Sequence, residues 1–301
     1  MLLRGQLKKK GLYILKIFKI KNSHIKKKSD YDLIKKKFNK NGAVIIENVL
    51  SKKKCENLKL LLEKDYKKYS QFFKKKKNIP KYSGASGAKI VTNLHNKNNK
   101  YLDLLDNQLV IRISETLLQQ GSYLNNDPII CQAFTARSPK NGSGSQQLHN
   151  DSRIVGSKYP LVVQAMWILD EFTKENGATN FLLGSQNYLN FPIDGKKYKN
   201  LSIAEAKPGS VLLFNGATWH GGGKPKTIFK SRWAMICRYS RWFLKPSYGF
   251  HQNTPIKIFK KMSKKQKDLL GFRYHPPIDE FTGSGSIQKK YLKPKNYKLP
   301  R

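Results

Sequence analysis

Acidic side chains are few in this 301-residue sequence. Only 19 Asp and Glu stand against 59 Lys and Arg, for a formal net charge of +40. Cysteine is sparser still: Cys55, Cys131 and Cys237 are odd in number and far apart. That spacing excludes a disulfide framework and a structural zinc site, and it points to a reducing compartment with buried thiols. No long hydrophobic run exists. The apolar stretch at residues 11–20 is short and is interrupted by Lys16 and Lys19, too little to span a bilayer. It also lacks the uninterrupted core and cleavage site of a secretory signal. The sequence therefore reads as soluble and cytoplasmic, with no transmembrane segment. Hydrophobic residues at 39% and aromatics at 11% suffice for an ordinary core.

A charge of this size is the footprint of a nucleic-acid or anionic-membrane binder. Its distribution argues against that. Lysine carries it, in runs at residues 8–10, 26–28, 35–37 and 74–77, while the middle of the chain is ordinary. Arginine, whose planar fork reads phosphates and bases, is scarce, and no nucleic-acid-binding motif is present. A compositional bias toward Lys, Asn and Ile explains the surface better than a specific nucleic-acid partner does.

Residues 1–28 read as a basic, poorly ordered extension, and residues 29–301 as one domain. Within it, residues 29–127 form a helical buttress. Ser29 is a candidate cap for a first helix ending at Gly42, followed by a short strand at residues 43–47. Ser51 can cap a longer helix bearing Cys55, Leu58, Leu62 and Tyr66 at helical spacing. Residues 74–88 read as a loop, and residues 101–120 as a helix. From residue 128 the texture changes to short apolar or alternating runs at residues 129–134, 161–169, 179–183, 210–214 and 233–239, separated by Gly, Pro and Asn. Strands at such spacing predict a β sandwich or barrel, here over residues 128–246, with residues 247–301 as a tail. The fold class expected is α+β, mainly β.

In the strand-rich half stands His149-Asn150-Asp151. In an extended segment, residues two apart point to one side, so His149 and Asp151 can share one metal. His220, which follows a strand and opens the turn His220-Gly221-Gly222-Gly223, can supply a third ligand. Two histidines and one carboxylate form the facial triad of non-haem iron(II) oxygenases, which leaves open positions on the metal. Alone, the tripeptide fits a surface hydrogen-bonded pair equally well.

Its surroundings are more specific. The run Gln146-Gln147-Leu148-His149-Asn150-Asp151, the block at residues 165–173, Glu175-Asn176-Gly177-Ala178-Thr179, Lys207-Pro208-Gly209-Ser210, Trp219-His220-Gly221-Gly222-Gly223 and Ser231-Arg232 occur in one order. In this the chain resembles the phytanoyl-CoA dioxygenase-like family of iron(II)/2-oxoglutarate oxygenases, over roughly residues 129–246. The resemblance implies a double-stranded β-helix core of jelly-roll or cupin-like form. It also implies iron ligands His149, Asp151 and His220, and Arg232 as the partner of the distal carboxylate of 2-oxoglutarate. Trp167 and, on the preceding strand, Gln132 are expected to line the pocket.

The activity implied is a dioxygenase that uses Fe(II), 2-oxoglutarate and O2 to hydroxylate a small-molecule or acyl substrate, releasing succinate and CO2. Asp151 is present where halogenating relatives carry a small residue, which favours hydroxylation. The lysine-rich loops would suit an anionic substrate. The loops at residues 74–88 and 142–145 are candidate lids. The alternatives are a non-catalytic metal-binding jelly roll and a basic nucleic-acid binder. Monomer and dimer are both open.

Overall fold

The computed structural model describes residues 15–75, 87–124, 126–277, 279–281, 287–294 and 297–298. Among them are the strands β1 (Phe18–Lys21), β2 (Ala43–Glu47), β3 (Ala88–Thr92), β4 (Ile129–Pro139), β5 (Val162–Ile168), β6 (Thr179–Leu182), β7 (Ser202–Ile203), β8 (Val211–Asn215), β9 (Trp219–Gly222) and β10 (Ala234–Arg241). The helices are α1 (Lys28–Asn41), α2 (Lys52–Lys75), α3 (Asn99–Leu105), α4 (Gln108–Leu118), α5 (Phe250–Asn253), α6 (Ile256–Lys261) and α7 (Lys264–Leu269). One sheet has seven strands in the order β1-β2-β8-β5-β10-β4-β3, and the other has three, β7-β6-β9. Together they make the jelly-roll core, with the helices on the outside of the larger sheet.

The period-two alternation of each central strand divides the core in two. Val163, Ala165 and Trp167 of β5, with Met235, Cys237 and Tyr239 of β10, pack outward into a cluster with Ile34, Phe38, Leu62, Val110 and Leu117 of the helices. Met166, Ile168, Leu212, Phe214 and Ala234 face inward, onto Phe172 and Phe181. No helix among the described residues is long and apolar enough to cross a membrane.

Gly42 ends α1 in the left-handed region, at φ +81°, where a side chain would also collide with Thr218 and Gln186. This tight junction lets the Gly42 carbonyl accept from Asn215 N–H at 2.8 Å and from the Thr218 hydroxyl at 3.1 Å. The end of the first helix is thereby tied to the approach to β9.

Four expectations need correction. The N-cap position of α1 is Lys27, and Ser29 lies inside the helix; Asp30 in the first turn reaches back to accept from the Lys26 and Lys27 amides at 2.8 and 2.7 Å. A carboxylate at a helix N-terminus answers the dipole as well as the orphan amides, which a hydroxyl cannot do. The stretch read as an extension contributes β1, whose Phe18 and Ile20 pack on the outer cluster while the strand runs parallel to β2. The helix expected over residues 101–120 breaks at Asp106–Asn107, where the Asn107 side chain accepts from Val110 N–H at 3.2 Å and starts α4. The tail carries α5 to α7 and buries Leu269, Leu270 and Phe272, with Gln266 donating to Leu102 and Asp106 of the buttress. Most of the loop at residues 74–88 lies outside the described residues.

His95, fully buried between β3 and α3, meets Asn253 Oδ1 through Nε2 at 2.8 Å and the ring of Phe250 edge-on. Desolvation pushes its pKa down to about 3. Below the unfolded value near 6.5 the unfolded chain takes up this proton first, so the native state loses stability as pH falls from about 6.5 towards 3. At pH 5 this one group costs about 2 kcal/mol. His95→Gln is expected to lose less of its thermal midpoint than the wild type between pH 7 and pH 5. An equal loss in both would show that His95 is not the acid-sensitive group.

Candidate metal centre

His149 does not lie in a regular strand. It forms an isolated antiparallel bridge with His220, in which each backbone N–H donates to the other's carbonyl, at 2.9 and 3.1 Å. Side chains of such a pair emerge on the same side, and here the two imidazole centroids are 4.3 Å apart. Two residues on, Asp151 N–H donates to Gly216 O at 2.7 Å, which keeps the segment extended against the β8–β9 turn and brings its carboxylate to the same side. The alternation expected for His-x-Asp is realised.

The glycines after His220 act differently from the turn expected. Gly221 and Gly222 continue β9, paired with β6 on one side while the segment at residues 146–149 runs along the other. A Cβ on Gly221 would sit 2.7 Å from Gln146 O and 2.9 Å from Gln147 O. Glycine is required so that this segment can close on β9.

Asp151 Oδ1 is 3.8 Å from His149 Nε2, and Oδ2 is 3.5 Å from His220 Nε2. The three ligand atoms lie within 4.8 Å of one another, the one such cluster among the described residues. Each imidazole is oriented from behind. His149 Nδ1 is 3.1 Å from Gln147 O and His220 Nδ1 is 2.9 Å from Thr218 O. A carbonyl can only accept, so each Nδ1 donates, and each Nε2, turned toward Asp151, is the nitrogen presented to a metal. Phe181 stacks on His220 at 5.6 Å and Phe214 meets it edge-on at 4.7 Å, which holds the ring in a buried slot.

Desolvation, then the neighbouring His220, push the His149 pKa down to about 4, so the imidazole is neutral near pH 7. For Asp151, burial opposes ionisation. His220, Arg238 and His149 overcome it and hold the carboxyl well below the usual range. Two imidazoles and one carboxylate are the donor set of a 2-His-1-carboxylate metal site.

The Asp151 carboxylate has two further partners that the sequence did not reveal. Gln164 Nε2 of β5 donates to Oδ2, and Arg238 Nη2 of β10 lies 3.2 Å from the same oxygen. They are direct cross-strand partners on the inner face. The available signal was a glutamine inside the apolar run Val162–Ile168 and an arginine at an inward position of β10, since a buried polar residue in a central strand needs a reason to be there.

Arg232, two residues before β10, is 7% exposed, and its guanidinium lies over the ring of Phe172 at 4.5 Å. Its backbone N–H donates to Ser138 Oγ, yet its Nε has no partner and no described acid lies within ion-pair distance. Desolvation lowers its pKa to about 10, which leaves it cationic at neutral pH. A buried guanidinium without a counter-charge is costly unless an anion arrives.

One pocket-lining expectation is corrected. Trp167 points outward into the helical cluster, because Met166 and Ile168 on either side of it take the inward positions. Gln132 falls where the β4–β10 register slips, and its side-chain amide donates to Lys245 O at 3.3 Å.

With an outer-sphere donor removed, metal affinity is expected to fall by about 10–100-fold. Gln164→Leu is predicted to weaken Co(II) binding within that range, and His149→Ala to abolish it, both measured by calorimetric titration of metal-free protein. Wild-type affinity in either variant would show that the cluster is not the binding site.

Several known proteins are similar to this chain. The chain is 26% identical over 166 residues to a dioxygenase of Aspergillus fumigatus, af480, covering 54% of each protein. It is 28% identical over 145 residues to the multifunctional dioxygenase prhA of Penicillium brasilianum, covering 44% of this chain and 48% of that one. The chain thus spans about half the length of the curated relatives it matches. The fold resembles that of HygX from Streptomyces hygroscopicus, whose crystal structure holds nickel and 2-oxoglutarate, with a TM-score of 0.54 at 18% identity over 69% of this chain and 86% of that one. A family model, phytanoyl-CoA dioxygenase (PhyH), matches residues 38–232, a stretch that begins in α1, includes all three ligands and ends on Arg232. The chain belongs to the phytanoyl-CoA dioxygenase family.

Proposed function

We propose that the protein is an iron(II)- and 2-oxoglutarate-dependent dioxygenase that hydroxylates a carbon of a small-molecule substrate. The observation that carries this reading is the pairing of a pre-oriented His149–Asp151–His220 cluster with a buried arginine lacking a counter-ion. The fungal relatives are named dioxygenases, and HygX has been crystallised with iron and with 2-oxoglutarate, which supports the same assignment here.

In this reading His149 and His220 would hold the metal through Nε2, and Asp151 through its carboxylate. Arg232 would take the distal carboxylate of 2-oxoglutarate, for which a permanently charged, bidentate fork is the apt partner. Iron(II) with 2-oxoglutarate would activate O2, the oxidant, with one oxygen atom entering succinate as the cosubstrate loses CO2 and the other entering a C–H bond of the substrate. The protein's own part is placement and exclusion. Thr218 and Gln147 carbonyls orient the imidazoles, Gln164 holds the carboxylate, and Phe172, Phe181 and Phe214 keep water from the inner face.

Anaerobic addition of iron(II) and 2-oxoglutarate to metal-free protein is expected to give the weak visible charge-transfer band of the chelate. Arg232→Met should lower 2-oxoglutarate affinity by about 10–100-fold, as loss of a charge-assisted hydrogen bond predicts, while metal binding persists. If the wild type forms no chelate and releases no succinate, the protein is a metal-binding jelly roll without this chemistry.

A further inference from the structure

The guanidinium of Arg238 is the second cation at the centre, and the dioxygenase reading leaves it only partly used. It offers five N–H donors, of which Nη2 approaches Asp151 Oδ2 at 3.2 Å. Its Nε is buried without an acceptor. An orphaned buried donor costs about 1–3 kcal/mol, the same mark of a missing ligand that Arg232 carries. The Arg238 side chain is 26% exposed and shares Asp151 with His149, whose side chain is 38% exposed, so both are reached from the open side of the cluster. Arg232 is 7% exposed and shut in against Phe172. Strand β10 and its approach thus carry one arginine at the closed end of the site and one at the mouth, with Ala234 and Ile236 at the inward positions between them.

Charge balance points the same way. A ferrous ion and the 2-oxoglutarate dianion cancel. Arg232 and Arg238, with Arg137 acting on His149 from β4, stand against the single carboxylate of Asp151, so cations outnumber anions in the assembled site. Asp151 does not depend on Arg238 to stay in place, because Gln164 donates to the same oxygen and Gly216 O anchors its backbone. A metal on this carboxylate would also weaken its pull on the guanidinium.

We propose that Arg238 is the receptor for an oxyanion, a carboxylate or a phosphate, carried by the substrate, and so selects anionic substrates for this site. The inference rests on the dioxygenase reading for the presence of metal and cosubstrate. It assigns a recognition role to a residue that the metal and 2-oxoglutarate do not require. Substrate would bind after the metal, once the cation on Asp151 has loosened the Arg238 pair.

The test is binding of small probes to the full chain loaded with Co(II) and 2-oxoglutarate. It is read by the visible Co(II) spectrum at about 0.2 M salt, which screens the remote lysines. Phenylacetate and phenyl phosphate are the anionic probes, and phenylacetamide is the neutral counterpart. At least one anion is expected to bind about tenfold or more tightly than the amide, as a charge-assisted hydrogen bond predicts. Arg238→Gln should bring the two classes within about twofold, and Arg238→Lys should keep part of the preference, while Co(II) and 2-oxoglutarate bind both variants within about threefold of wild type.

Equal binding of anion and amide to the wild type, or an undiminished preference in Arg238→Gln, would overturn the proposal. So would a Co(II) affinity reduced more than about tenfold in Arg238→Gln, since Arg238 would then be a positioning residue for Asp151. Failure of the wild type to take up Co(II) or 2-oxoglutarate at all is read in the loading step. It would defeat the dioxygenase reading, and this inference with it.

Discussion

Two backbone hydrogen bonds, exchanged between His149 and His220, are the constraint from which the centre follows. Once these residues form a reciprocal pair, their side chains emerge together. Asp151, two positions further along an extended segment, has no direction to point except beside them. The pairing in turn requires that the segment lie flat on β9, which it does because Gly221 presents no Cβ to the carbonyls of Gln146 and Gln147. The remaining sheet serves this one junction. β8 delivers the turn whose Gly216 carbonyl holds Asp151, and Gly42 at the end of α1 docks on the same turn.

The inner face of the larger sheet is therefore a compromise between packing and polarity. Met166, Ile168, Phe214 and Ala234 give it an apolar floor, which raises the cost of every unpaired charge placed on it. Gln164, Arg232 and Arg238 are placed there nonetheless. Gln164 and Arg238 share an oxygen of Asp151, and Arg232 has only an aromatic face. A low-dielectric floor strengthens the attraction of these groups for an anion as much as it penalises their isolation.

Much of this was legible in the sequence, where local rules suffice. Gly42 as a helix stop, the short strands after residue 128, and the convergence of His149, Asp151 and His220 follow from capping, alternation and motif order. What was not legible depended on partners distant in sequence. β1 joins the sheet through β2, about 25 residues away, and a four-residue strand with two lysines gives little periodic signal of its own. Trp167 was misread because a motif fixes a position but not a face, and parity along β5 settles the face. The register slip beside Gln132 could not be seen from one strand. Gln164 and Arg238 become meaningful only when β5 and β10 are laid side by side.

The lysine excess acquires a physical sense at the borders of the larger sheet. Its outermost strands are β1 and β3, each with one side that pairs with no strand among the described residues. Such rims are templates for self-association, and interspersed ammonium groups make them poor ones, because stacking two copies would bring like charges together. β1 carries Lys19 and Lys21 at its exposed positions, whereas Lys89 of β3 is paired with Glu63. A coding bias that floods the surface with one cation thus also insulates the sheet against polymerising through its rims, most effectively in dilute salt, where repulsion reaches furthest.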